Sequence, residues 1–238
     1  LYVSMGAETL PGSVERLKAW WLYRCLFSPH PLEERLTLMW HNHFATSNLK
    51  VNDLRLMKQQ NDTLRKHALS PFCVMLRDIV HDPALLEWLD ASSNRAGQPN
   101  ENFARELMEL FTLGIGNYSE DDVKEAARAL TGWTVRQNEF RNLESLHDSG
   151  EKTILSRAGN FDGDDLVDIL IDEPAVARRL AWRLTNEFFG TWVVDDSALD
   201  ELAEGLRMHN LDIHWGVETI LRSQLFFSDT NINSRVCD

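Results

Sequence analysis

The chain is poor in cysteine, poor in positive charge and without any apolar run long enough to span a membrane. Its three cysteines, Cys25, Cys73 and Cys237, are widely spaced and odd in number. No Cys-x-x-Cys pair occurs, so neither a metal knuckle nor a disulfide framework is expected. Cys25 and Cys73 fall among apolar residues on predicted helices, where a free thiol serves as core filler. Lys and Arg number 24 against 37 Asp and Glu, a net charge of −13. That balance argues against a nucleic-acid partner, because phosphate binding draws on clustered Lys and Arg. The deficit is uneven: between Asn160 and Gly205 twelve acidic residues stand against three arginines, −9 of the −13. Such a charge run is usually a solvated face. With no transmembrane segment and no charged start or apolar middle of a signal peptide in Leu1-Tyr2-Val3-Ser4-Met5-Gly6, the sequence offers no targeting signal. It also lacks an initiating Met, and is expected to be an excerpt of a longer protein.

What is present is helical punctuation. The 238 residues, 43% apolar and 26% charged, are those of an ordinary globular protein. Pro11-Gly12-Ser13 precedes a helix from Val14 to Phe27 with Leu17, Trp20, Trp21 and Leu22 as its apolar set. Leu32 to about Phe44 follows, with Leu36, Met39 and His43 on one face, and Leu54, Met57, Asn61, Leu64 and Ala68 recur at helical spacing. Ser70-Pro71 and Asp82-Pro83 each place a capping side chain before a proline, opening helices near 71–81 and 83–90. Ala91 to Gln98 is a polar loop. Ser119 with Asp122 resembles a capping box for a helix to about Leu130. The helical period breaks between Trp133 and Ile154, where Thr134-Val135, Glu139-Phe140 and Lys152-Thr153-Ile154 suit two short strands. Asp162-Gly163-Asp164 opens a helix to Ile171, Pro174 one to about Phe189, and two more run near 197–208 and 213–224. The expected fold is mainly α, a multi-helix globular bundle with a short irregular or β-hairpin insertion near 133–154.

The segment Pro99 to Thr134 says most about a site. On a helical wheel Phe103, Leu107, Leu110 and Phe111 share one arc, and Glu101, Asn102, Arg105, Glu106 and Glu109 fill the opposite one. Gly114 suits a left-handed cap. Glu101, Arg105 and Glu109 are spaced for two i,i+4 ion pairs. On a surface such a ladder is worth a few tenths of a kcal/mol per pair, roughly. Covered by neighbouring helices, it would hold a carboxylate of raised pKa beside a guanidinium.

Other candidates have plainer explanations. His41 and His43 in Trp40-His41-Asn42-His43-Phe44 point about 200° apart on a helix, so one metal cannot take both. His43 lies on the apolar stripe and suits a hydrogen-bonded core histidine. His147-Asp148-Ser149-Gly150-Glu151-Lys152-Thr153 shares only Gly-x-Lys-Thr with a phosphate loop, which rejects nucleotide binding there; an Asp after His can orient an imidazole, but a turn explains it. Asp162-Gly163-Asp164-Asp165 lacks the remaining ligands of a calcium loop, and helix capping accounts for it.

Taken together, Met39 to Ser47, the Pro99 to Gly116 segment, Ala126 to Trp133, His147-Asp148…Lys152-Thr153, Phe161 to Asp165 and Leu221 to Phe227 resemble a bacterial family named domain of unknown function 1800. The resemblance covers nearly the whole chain. It implies one α-helical domain over residues 1–238, truncated at both ends, so that Phe226 and Phe227 are poorly covered. At Cys237 it implies Lys, a departure. It also implies export, to the periplasm or beyond, and a sulfatase-like partner of the domain of unknown function 1501 family. No activity or cofactor is implied, and whether a metal binds stays open. The motif positions it picks out are His41, His43, Asn100, Glu101, Asn102, Arg105, Glu106, Trp133, His147 and Asp148. They are expected to gather in one polar cavity between helices, with Arg105 buried, paired with a carboxylate and one side-chain layer from His41 or His43.

Two function classes follow. One is an exported, hydrolase-like helical enzyme, with Glu101 or Glu106 as general base, Arg105 as anion clamp and His41 or His147 as proton carrier; His43, Asn100, Asn102, Trp133 and Asp148 would line the binding site. The other is a non-catalytic accessory or binding protein. Converging, perturbed carboxylates favour the first, and a fully paired polar framework with an exposed apolar patch favours the second.

Overall fold

A computed structural model describes residues 12–191, 193–229 and 231 of the chain; Cys237 lies outside them. They form a mainly α fold of twelve α-helices and two small antiparallel hairpins. Ser13 opens α1 (Val14–Phe27), its side chain accepting from Arg16 N at 3.3 Å. Trp20 and Trp21 are half-buried, but Leu22 is exposed, contrary to its expected place in the apolar set. At about 100° per residue it lies some 140° round from Leu17. Helix α2 (Pro31–His43) buries Leu36, Met39, Trp40 and His43. After the short α3 (Asn48–Val51), α4 (Leu54–Lys66) lays Leu56, Met57, Gln60, Asn61 and Leu64 inward.

Helix α5 (Phe72–Ile79) departs from the expected cap. Pro71 is itself the capping residue, and the Ser70 hydroxyl sits 3.3 Å from His67 Nδ1 instead. Helix α6 (Pro83–Trp88) follows the rule, with Asp82 accepting from Leu85 N at 3.0 Å and Pro83 in the first turn. Cys25 and Cys73 are half-buried rather than core residues; the helix that carries Cys25 buries none of its side chains fully.

The motif helix α7 (Asn102–Glu106) starts three residues after Pro99, since Asn100 folds back and its Oδ1 accepts from Asn102 N at 2.9 Å. It then widens into a π turn, Leu107–Thr112, in which Leu113 N donates to Met108 O at 2.8 Å. Phe103, Leu107 and Phe111 are buried as expected, and Gly114 ends the turn at φ +80. Ser119 and Asp122 form the capping box of α8 (Glu120–Ala129).

Where two strands were expected there are two hairpins, β1 (Trp133–Arg136) with β2 (Glu139–Asn142) and β3 (Lys152–Ile154) with β4 (Arg157–Gly159). Both turn on residue pairs at positive φ, Gln137-Asn138 and Leu155-Ser156, the backbone that tight two-residue hairpins require. Leu155 gives no sequence hint of this. Helix α9 (Gly163–Ile171) is capped by Asp162 with Asp165. Helices α10 (Pro174–Phe189), α11 (Asp196–Met208) and α12 (Ile213–Arg222) pack on one another, and α10 also meets the π turn. Close approach demands glycine twice. A Cβ on Gly163 would lie 2.3 Å from Trp133 Cζ2, and one on Gly205 2.0 Å from Trp215 Cη2. Phe227 is 67% exposed, but Phe226 is half-buried against Phe188 and Phe189, so only one of the pair is poorly covered.

Candidate functional site

The outer face of α7 and its π turn carries a row of acidic side chains in unequal states. Arg105 does not sit inside: its side chain is 36% exposed. It binds Glu120 through two bonds of 2.9 and 2.7 Å, and Glu101 at 3.1 Å. These bonds hold its pKa above the usual arginine range, Glu120 first. The expected burial of Arg105 is therefore corrected. Its carboxylates come from its own turn and from the exposed start of α8, where water remains. With both oxygens of Glu120 engaged, Arg105 has little left for an anion.

Only half of the expected Glu101–Arg105–Glu109 ladder exists. The π turn adds a residue and rotates Glu109 away, and Glu109 instead accepts from the Tyr118 hydroxyl at 2.6 Å. Burial, then Glu109, pushes the Tyr118 pKa up to about 12. Glu106 is the odd one: half-buried, it makes no hydrogen bond or ion pair among the described residues. Burial raises its pKa, and the charge of Glu109 adds to the shift. A carboxylate that is free, partly desolvated and easier to protonate than usual is equipped to take up a proton.

The remaining motif residues do not join it in one cavity. His43 is fully enclosed by Trp40, Phe44, Phe72 and Phe111, and its Nε2 meets Phe111 O at 3.0 Å. It is the hydrogen-bonded core histidine that its stripe implies. His41, on the other side of α2, packs edge-on to Trp21, with Nδ1 buried and unpartnered. Burial lowers its pKa. Among the described residues no hydrogen bond or ring contact joins it to α7, because residues two apart on a helix cannot face the same neighbour.

Asn100, Asn102, Trp133, His147 and Asp148 are structural fasteners. Asn100 is tied to Asn94 and Ser93, and Asn102 donates to Leu89 O at 3.2 Å. Asn94 also reaches Ala127 O and accepts from Gly132 N, binding this loop to the end of α8. Trp133 is buried against Gly163 and Phe103. His147 Nδ1 lies 3.0 Å from Thr131 O. Asp148 does not orient it, but accepts two bonds from Arg128 at 2.9 and 3.1 Å and one from Gly150 N. Arg128 first, then Gly150, holds the Asp148 pKa down to about 2. Lys152 of the Gly-x-Lys-Thr stretch is buried, its ammonium spent on Asp148 O and Gly150 O at 2.5 and 3.0 Å. A shallow cleft of about 620 Å³ lies beside Arg95, Gln98, Asn100 and Glu101, with most of these side chains already engaged. Among the described residues no group of three or more His, Cys, Asp or Glu is placed to hold a metal ion.

Two residues beside this face escaped the sequence. Arg179 of α10 donates to Leu110 O in the π turn at 3.2 Å, and Tyr118 supports Glu109. The only sequence signal for Arg179 is that it is one of few cations in an acidic stretch. These features define the class, a mainly helical protein with its polar face on a π-interrupted helix between α8 and α10. The chain belongs to the family described as Protein of unknown function (DUF1800), whose model matches residues 7–237. No curated protein and no solved structure matches the chain.

Proposed function

We propose that the chain is a hydrolase-like acid–base enzyme with Glu106 as its general base. The observation that carries this is the contrast between Glu106, unpaired and half-buried with a raised pKa, and Glu101, Glu109 and Glu120, each already bonded to Arg105 or Tyr118. Glu106 would take the proton of an attacking water. Tyr118, held neutral well above its ordinary range, has its one proton on Glu109 and so keeps that carboxylate from competing for the proton. Arg105 positions Glu101 and Glu120 rather than clamping an anion, and His41 and His147 make no hydrogen bond to Glu106. Turnover of a panel of ester, phosphoester, amide and glycoside substrates, measured with wild type and Glu106→Gln, tests this. General-base loss should cost roughly 10²- to 10⁴-fold with the melting temperature unchanged. Turnover indifferent to Glu106→Gln, or no turnover on any substrate class, overturns it.

A second reading, a non-catalytic partner-binding protein, is favoured by the end of α1. There Leu22, Leu26 and Phe27 are all exposed, and most motif side chains are engaged in structural bonds. In that role the partner would be the exported sulfatase-like protein that the family resemblance implies. Copurification from the native source, lost in Leu26→Asp, would favour this reading over the first. No helix among the described residues is long and apolar enough to cross a membrane.

A further inference from the structure

The acidic stretch between Asn160 and Gly205 holds three arginines, and they are not equivalent. Arg178 is paired twice, with Asp196 and Asp200 at 2.7 and 2.8 Å. Arg179 and Arg183, one turn apart on one face of α10, are not seen in any ion pair; the charge of Glu109 reaches Arg179 and that of Glu187 reaches Arg183. Both are half-buried. Each spends one Nη2 bond on a backbone carbonyl, Arg179 on Leu110 O at 3.2 Å and Arg183 on Met39 O at 2.9 Å. The Nε of each is fully buried without a partner. Nη1 of each makes no bond either, and is not among the fully buried atoms.

This arrangement is costly. A guanidinium taken out of water needs a paired charge and filled hydrogen bonds, and this chain has acids in excess. The nearby carboxylates are committed elsewhere: Glu109 to Tyr118, and Glu187 to Arg35 at 3.0 Å. The third neighbour, His43, is neutral and bonded to Phe111. The two carboxylates whose charge reaches Arg179 and Arg183, Glu109 and Glu187, are thus each shared with another partner. Trp182, partly exposed, lies with its ring 4.7 Å from the Arg179 guanidinium carbon.

We propose that Arg179 and Arg183 form an oxyanion-binding site that takes a phosphate or carboxylate group between their Nη1 atoms, with Trp182 as its apolar wall. An anion there supplies the charge that the fold leaves out, and forked guanidiniums match its paired oxygens. The proposal stands on this geometry and not on the role of Glu106. It is read as binding, the other as turnover, so either can fail alone.

The test titrates the full chain with inorganic phosphate, acetate and chloride at matched ionic strength, following tryptophan fluorescence and melting temperature. Expected is a saturable response to phosphate or acetate that chloride does not give, with a rise in melting temperature. The tighter of the two names the group recognised. Arg179→Gln and Arg183→Gln should each weaken it by about tenfold or more, the loss of a charge-assisted bond, and Arg178→Gln should leave it unchanged. Absence of saturation, an equal response to chloride, survival in both Gln variants or equal loss in Arg178→Gln overturns the site. Should a Gln variant not fold, Arg179→Lys and Arg183→Lys keep the charge and lose the fork; binding undiminished in both overturns it as well.

Discussion

His43 on α2 holds the carbonyl of Phe111 in the π turn, Nε2 to oxygen 3.0 Å. A carbonyl only accepts, so Nε2 bears the proton of a neutral ring. The bond also does a job for the backbone. The last carbonyls of a helix have no donor within it, and His43 at Phe111 and Arg179 at Leu110 satisfy two of them from neighbouring helices. The turn is thus held open from both sides.

His43 should make the fold acid-labile. Burial first, with Arg183 adding to it, lowers its pKa from 6.5 to about 3. The unfolded chain binds the proton more readily, so the contribution is complete above pH 6.5 and is lost as pH falls toward 3. The full loss is on the order of 5 kcal/mol. Urea melts of wild type and His43→Gln across that range should show a much flatter acid slope in the variant. Parallel slopes would mean the ring titrates normally.

Asp82 should act in the opposite sense. Burial raises its pKa from 3.8 to about 6, although Leu85 N and Gln60 Nε2 both donate to it. Here the folded state binds the proton more tightly, so stability falls as pH rises from 3.8 to 6, by about 3 kcal/mol. Asp82→Asn keeps an N-cap oxygen and should be the more stable protein at pH 7. Equal stability of the two at pH 7 and at pH 4 would sink this assignment.

Arg105→Ala should lose less than about 1 kcal/mol in chemical denaturation, since its partners Glu101 and Glu120 stay solvated when left alone. A buried Arg105, as the sequence leads one to expect, would instead strand a carboxylate on removal and cost roughly 3 to 5 kcal/mol. A loss in that higher range would place Arg105 inside after all.

Gly205→Ala inverts the usual gain from alanine in a helix. The added methyl would sit 2.0 Å from Trp215 Cη2, and overpacking should cost roughly 1 to 3 kcal/mol. A stabilised variant would show that the Trp215 ring moves aside freely.

Much of the fold was legible because its helix starts are written in local chemistry. Asp82-Pro83, Ser119 with Asp122 and Asp162 with Asp165 act where their spacing puts them. His43 was legible too, since its stripe neighbours are apolar. The π turn was not, because a helical wheel assumes a constant angle per residue, and Glu109 was assigned the wrong partner. Arg105 misled for a different reason. A dense motif marks residues held in place, and holding does not require burial. Arg179 and Arg183 read as part of a solvated run because nothing in their own segment records that α2 and the π turn close over them.

The π turn also sets how this chain can change length. Between Leu107 and Thr112 the helix carries one spare residue, so a deletion there has a regular α-helix ready to receive it. The cost would fall on phase. Closing the turn would turn everything beyond it by about 100° relative to Phe103, drawing the Leu110 and Phe111 carbonyls away from Arg179 and His43. A shorter relative would need a different residue at each of those two positions.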